Sequence, residues 1–353
     1  MMTFPSTSAI VRQSAHLVLL TLIGSTLVGA TLSFNVYGQD VDFEPEPIMS
    51  ITGEQGSYRG LQFSHHDRQI WNHRLECWDI PGGFALEGPP IEPRKRGNIF
   101  SAAAQGRRLI FFDAAEERLF TWGGVEPLAE RDLPNRGQIR AIRFLEDGER
   151  FASWMSEPSS ICLGSTGSPK ADRYFSIPEG LRKLEISRTG KMFISVGPDN
   201  EKSVLIWDLE KNEERATIRQ KSVVASLSLS PDDRFLATGS FDNRVRVYDT
   251  ESGRQLKVFK GHGAGPIFLG SAVFSVAFSP NGRWIASGGH DGQVIVWEVE
   301  TGKRVFRARI KSQPIVWSVA FSQNSELVAG GFEGIGPIHG VGVWEIEAAN
   351  KDK

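Results

Sequence analysis

Cysteine is almost missing from this chain: Cys77 and Cys162 are the only two in 353 residues. Both read as packed core residues and not as ligands or nucleophiles. The usual catalytic signatures are missing too. There is no Walker loop, no His-Glu-x-x-His, no Cys-x-x-Cys-His and no Gly-x-Ser-x-Gly. Gly334, Gly336 and Gly340 form a glycine-rich stretch, but their spacing misses the dinucleotide fingerprint and they open no helix. No cofactor is expected. Charge of one sign is lacking as well, with 40 Lys and Arg against 42 Asp and Glu. That balance argues against nucleic acid, whose binding rests on neutralising phosphates. The one basic run, Arg94-Lys95-Arg96, reads as a solvated loop.

Residues 1–38 lack Lys, Asp and Glu altogether and carry only Arg12. An apolar run from Leu17 to Leu32 comes next, then Val36 and Gly38 as small residues at cleavage positions. We expect an export signal cut after Gly38, with Val28 and Ala30 marking a second cut site. An uncleaved membrane anchor is the alternative, the run being near the short limit of a span. No cysteine lies close enough behind it to indicate lipidation. The expected location is outside the cytoplasm: periplasmic, cell-envelope or secreted.

What the chain does have is a recurring pair, a tryptophan followed by an acid: Trp78-Asp79, Trp207-Asp208, Trp297-Glu298 and Trp344-Glu345, with Tyr248-Asp249 as a variant. The spacing, about 44 residues, signals a repeat architecture whose units stack to bury their apolar faces. The clearest unit, Ala272 to Ile310, reads as four short strands separated by the turns Ser279-Pro280-Asn281-Gly282 and Gly288-Gly289-His290-Asp291-Gly292. Its third strand is apolar on both sides, Val294 and Val296 facing one way and Ile295 and Trp297 the other. Packing each small sheet between two others hides both faces. Leu227 to Phe259 repeats the pattern closely, and Leu61 to Ile80, Leu184 to Glu210 and Val319 to Gly331 repeat it loosely. Two degenerate units end at Trp122 and at Leu163 or Gly164.

On these residues the chain resembles the WD-repeat β-propeller family over approximately residues 45–347. The resemblance implies an all-β fold: a single propeller, seven blades of four antiparallel strands fitting best and six or eight less well. It also implies that an N-terminal strand, here Pro47 to Thr52, completes the last blade, which removes an exposed edge. The expected organisation is a signal or anchor at 1–38, a linker at 39–46, the propeller at 47–347 and a polar tail at 348–353, with a monomeric propeller. With one unit per blade, the two cysteines fall in non-adjacent blades, too far apart for a disulfide.

His262, Ser287 and Asp291 could be mistaken for a hydrolase triad. In WD-repeat proteins the same places, with the tryptophan, form a buried structural tetrad, here His262, Ser287, Asp291 and Trp297. No strained elbow or oxyanion motif accompanies the serine. The fifth unit keeps Thr238, Asp242 and Tyr248 of this set, and the fourth keeps Ser195, Asp199 and Trp207. His65-His66-Asp67, the one dense set of possible metal ligands, reads as a polar turn, so no metal is expected.

Two interruptions of the repeat point to function. A long segment comes after His262, and another precedes Trp344. The resemblance puts both on one face, which would gather Ile267, Phe268, Leu269, Ile335, Pro337, Ile338 and His339 into an apolar contact patch. The expected function is a non-catalytic scaffold that binds a protein or peptide through this face. An enzyme or small-ligand propeller using the central channel, and a membrane-tethered envelope protein, remain the alternatives.

Overall fold

The computed structural model describes residues 32–35, 43–45, 47–53, 61–64, 67–71, 77–80, 85–86, 100–102, 108–113, 118–122, 129–132, 139–156, 158–166, 168–263, 272–310, 314–334 and 339–346. The described residues form seven sheets in chain order, each built on four antiparallel strands, a seven-bladed β-propeller. Blade 1 is built from Gln62–Ser64, Gln69–Trp71, Cys77–Asp79 and Ala85–Leu86, and blade 2 from Phe100–Ala102, Leu109–Asp113, Arg118–Trp122 and Ala129–Asp132. Blade 3 takes Ile139–Phe144, Arg150–Ser156, Ser159–Ser165 and Ser168–Ser176, and blade 4 takes Arg182–Ile186, Met192–Val196, Ser203–Asp208 and Glu213–Arg219. Blade 5 is Val224–Leu229, Phe235–Ser240, Arg244–Asp249 and Gln255–Lys260, and blade 6 is Val273–Phe278, Trp284–Gly289, Gln293–Glu298 and Arg304–Ile310. Blade 7 has Ile315–Phe321, Leu327–Glu333 and His339–Glu345. Its fourth strand is Met49–Gly53 from the other end of the chain, paired from Met49↔Val343 to Gly53↔His339.

Two further N-terminal segments join the ring. Phe43–Glu44, within the stretch expected as linker, pairs with Ile310 and Arg309 at the outer edge of blade 6. Leu32–Asn35, within the expected signal, runs parallel to Met49–Gly53. The rest of the expected signal, up to residue 31 and from 36 to 38, lies outside the described residues, as does the tail from 347.

The packing reflects the two-faced strands. Val294 and Val296 cluster with Val316, Phe332 and Trp344 of blade 7. Ile295 and Trp297 cluster instead with Val245, Val247 and Phe259 of blade 5. A fully buried Val or Ile contributes roughly 1.5–3 kcal/mol. Four such side chains therefore rival the whole stability of a small domain, and a blade without neighbours would forfeit them. Outer strands alternate instead: in Arg304–Ile310, Phe306, Ala308 and Ile310 are buried while the intervening arginines are exposed.

In blades 4, 5 and 6 the acid of the repeated pair caps the turn into the outer strand. Asp208 Oδ1 accepts from Lys211 N at 3.0 Å, Asp249 Oδ1 accepts from Ser252 N at 2.8 Å, and Glu298 Oε2 accepts from the Thr301 hydroxyl at 2.7 Å. Four residues after the acid the backbone turns left-handed, at Asn212, Gly253 and Gly302. Register also resolves the degenerate third blade. Phe151 pairs with Gly164 as Ile285 pairs with Trp297, so Gly164, not Leu163, stands at the tryptophan position. Cys77 and Cys162 are buried, in blades 1 and 3.

Candidate interaction surface

The inner strands surround a channel, and one position on each faces it: Gln62, Ser101, Arg143, Glu185, Ser228, Ala277 and Ala320 by register. Side chains here and two residues earlier stitch each blade to the next. Gln62 accepts from Ala102 N at 2.9 Å, Ser101 from Phe144 N at 3.0 Å, Glu185 from Leu229 N at 3.4 Å and Ser228 from Phe278 N at 3.1 Å. Arg143 reverses the polarity, donating to Ile186 O at 3.3 Å and to Glu185 at 2.8 Å. Where the position is alanine, the serine two residues earlier takes over: Ser275 accepts from Val319 N and Ser318 from Leu61 N, both at 3.0 Å. All seven interfaces are closed this way.

The channel holds a cavity of about 370 Å³. In its lining Arg143 pairs with Glu185, and Arg188, from blade 4, donates to Gln323 of blade 7 at 3.2 Å. Burial pushes the Glu185 carboxyl above its ordinary pKa despite the opposing Arg143 charge. Burial, helped by the nearby Arg143 charge, lowers that of Arg188. The sequence pattern did not reveal this set, although Arg143 and Glu185 stand out once aligned with Ala277 and Ala320.

In blade 6 the tetrad forms one chain of hydrogen bonds. Trp297 Nε1 donates to Ser287 Oγ at 2.9 Å, Ser287 Oγ lies 2.8 Å from His262 Nε2, and His262 Nδ1 lies 3.0 Å from Asp291 Oδ1. With a proton on Nδ1, the His262 ring can donate to Asp291 while Nε2 accepts from the Ser287 hydroxyl. Asp291 also accepts from Gly263 N at 2.7 Å and from Gln293 Nε2 at 2.6 Å. Burial opposes its ionisation, but His262 and the Gly263 and Gln293 amides outweigh burial and hold its pKa below the ordinary value. Residue 261 must be glycine, since a Cβ there would lie 2.5 Å from Cη2 of Trp297.

Other blades meet the same demand differently. In blade 5, Gln220 stands in for the histidine: Nε2 donates to Thr238 Oγ1 at 3.0 Å while Oε1 accepts from Ser240 Oγ at 3.1 Å. Arg246 extends this network to Asp242. The sequence reading treated this unit as incomplete and missed Gln220 and Arg246. In blade 7, Gly330 occupies the serine position by register, and the Trp344 indole donates to the Pro45 carbonyl at 3.0 Å. In blade 4, Trp207 turns to Asn212 Oδ1 at 3.4 Å and Ser195 bonds the Arg182 carbonyl at 2.9 Å.

Asp67 has a structural task. Its carboxylate accepts from Gln323 N and from Asn324 N, the latter at 2.8 Å, tying blade 1 to blade 7 across the seam. His65 and His66 lie outside the described residues. Among the described residues no group of three His, Cys, Asp or Glu side chains could hold a metal.

The face carrying His262 and Asp291 is where the two long segments leave. Of the expected patch, Ile267, Phe268, Leu269, Ile335, Pro337 and Ile338 lie outside the described residues. His339 opens the third strand of blade 7, opposite Glu333, and its Nδ1 is buried without a partner among the described residues. Beside these segments the structure gathers Phe241, Phe274, His290 and Trp317. Phe274 lies 4.6 Å from Trp317, 5.8 Å from Phe241 and 6.1 Å from His290, centroid to centroid. Phe241 is 45% exposed, high for so large an apolar side chain. Phe274 and Trp317 occupy β-bulges in their inner strands, between Val273 and Ser275 and between Val316 and Ser318. A bulge re-aims one side chain out of the alternation, so a period-two reading could not find this set. The same bulge in blade 3 carries Arg140 and in blade 4 Lys183 and Leu184. The rim is therefore aromatic at blades 5 to 7 and basic at blades 3 and 4.

Comparison with known proteins agrees with this construction. The family model described as "WD domain, G-beta repeat" matches residues 213–249 and 253–298. The chain is 31% identical over 144 residues to Protein groucho of Drosophila melanogaster and 29% identical over 144 residues to Transducin-like enhancer protein 2 of Mus musculus, 38% of this chain in each case. It is 24% identical over 271 residues, 69% of its length, to Pre-mRNA-processing factor 17 of Homo sapiens. These matches span only 19%, 18% and 44% of those proteins' own lengths. Seven stacked four-stranded blades, the bonded tetrad and the two matched repeats support a WD-repeat family for this chain.

Proposed function

We propose that the chain is a non-catalytic scaffold that binds a protein or peptide segment across the face bearing Phe241, Phe274 and Trp317, and that it works outside the cytoplasm. The observation that carries the binding reading is the aromatic set itself, with Phe274 and Trp317 held at bulges and Phe241 beside them. It keeps large apolar surface at the rim of a rigid ring, beside the two segments that interrupt the repeat. WD-repeat propellers bind protein partners, which supports the class of ligand. The tetrad's hydrogen bonds give His262 and Ser287 a packing role in this reading.

The test is a photo-crosslinking residue placed at Phe241, with Tyr174 on the outer strand of blade 3 as control. We expect one discrete protein adduct from the Phe241 position, lost in Phe268→Asp and Ile335→Asp. Equal adducts from both positions would sink the reading. Export is supported by the apolar, nearly uncharged start of the chain. Cleavage after Gly38 would remove Leu32–Asn35 yet keep Phe43–Glu44 and the closing strand Met49–Gly53. Mass spectrometry of the native N-terminus should find Gln39, and an intact Met1 would favour an anchor.

A further inference from the structure

Between blades 3 and 4, on the same face, lies a second cavity of about 350 Å³, a volume in the range of small-ligand pockets. Its wall includes Arg140, Trp154, Ser156, Leu181 and Arg182. Trp154 is only 8% exposed, and its indole N–H has no hydrogen-bond partner among the described residues. Buried donors are satisfied in the great majority of native sites, so one left over beside a cavity calls for an acceptor. Register explains why the donor is there. Trp154 occupies the position held in blade 6 by Gly288, where a Cβ would press against Val316 of the next blade. The tryptophan thus enters a blade interface that in blades 5, 6 and 7 closes on glycine, at Gly239, Gly288 and Gly331, and it packs with Leu181 and Phe193.

Among the described residues that line the cavity, the two charged ones, Arg140 and Arg182, are both cations. Arg140 Nε donates to Ser156 Oγ at 3.3 Å, and Arg140 has no carboxylate partner among the described residues. Arg182 NH1 pairs with Glu201 at 3.1 Å, but Lys183 pairs with the same carboxylate. One acid therefore serves two cations, and Arg140 adds a third. A guanidinium fork offers two parallel donors matched to a planar carboxylate, and the Trp154 indole N–H, buried in the wall, is a further donor without a partner among the described residues.

We propose that this pocket receives the carboxylate of an acidic residue in a bound peptide, held by Arg140 and the Trp154 indole with Arg182 at the edge. The inference rests on this face being the interaction surface, and it adds an acidic anchor to the aromatic one.

The experiment uses the full chain labelled with 15N-tryptophan, so that the indole N–H signals of Trp154 and Trp317 are read separately, assigned through Trp154→Phe and Trp317→Phe. Hexaglutamate and inorganic phosphate are the probes. We expect hexaglutamate to shift the Trp154 signal saturably, and Arg140→Gln to weaken that response at least about tenfold, as loss of a charged hydrogen bond should, with the remaining indole signals unmoved. A still Trp154 signal, a response to phosphate alone, or an undiminished response in Arg140→Gln overturns the pocket. Movement of Trp317 without Trp154 overturns the pocket while sparing the scaffold reading, because it reports the aromatic rim on its own.

Discussion

At the scale of single residues, the tetrad shows how the same polar atoms can look catalytic in sequence and serve packing in space. Ser287 accepts from Trp297 and faces His262, so removing the imidazole strands buried partners on both sides. His262→Ala should cost roughly 2–3 kcal/mol and lower the melting temperature. Trp297→Phe, which keeps a ring but loses the donor, should cost less. Asp291 adds a pH signature. Its folded pKa lies below the ordinary 3.8, so its ionised form contributes stability above that value, and the contribution is lost as pH falls through the folded pKa. Glu185 has the opposite sign: its folded pKa is raised above 4.5, so its contribution is full below 4.5 and is lost as pH rises through the folded value. Melting curves taken from neutral pH to below 3.8 should therefore show a smaller acid loss in Asp291→Asn than in the parent chain.

At the scale of the element, the closing strand decides whether blade 7 has an edge. Met49 is fully buried against blades 7 and 1, and the Trp344 indole depends on the carbonyl of Pro45. A chain starting at residue 47 should fold with a loss of about 1 kcal/mol from the orphaned indole. A chain starting at residue 54 bares the His339–Glu345 edge and should self-associate in light scattering. The closing strand was legible in the sequence, because the resemblance implies an N-terminal strand that completes the last blade, and Met49–Gly53 pairs there. The turns were only partly legible. The left-handed position of the first turn is Gly148, Gly190 and Gly282 in three blades but Asp67, Asp233 and Ser325 in three others. Those three side chains bond the preceding blade: Asp67 to Gln323 N, Asp233 to Thr189, and Ser325 to Asn281 N. Composition hides such a substitution because an interblade bond compensates for an unfavourable backbone. Of the candidate site, the loop interruptions could be counted in the sequence, whereas Phe274, Trp317 and Arg140 could not be aimed. A bulge moves a side chain without leaving a mark in the alternation.

At the scale of the whole molecule, the ring of side-chain to backbone bonds around the channel couples every blade to both neighbours. Ser228 and Ser318 lie in different interfaces and are both nearly buried. Ser228→Ala and Ser318→Ala should each cost on the order of 1 kcal/mol, and the double variant should lose the sum, the sites sharing no partner. Unfolding should stay a single transition in denaturant, with tryptophan fluorescence and circular dichroism coinciding. Separated transitions would mean that the blades do not act as one body.

The seam has a mechanical meaning. Met49 lies opposite Val343 and Gly53 opposite His339, so the two chain ends leave the antiparallel pair from the same side. Pulling the termini apart in an optical trap would load those backbone bonds one at a time, as a zipper is drawn, and not all together in shear. The ring should yield at low force at this one junction, and the blades far from it should still be folded when it opens.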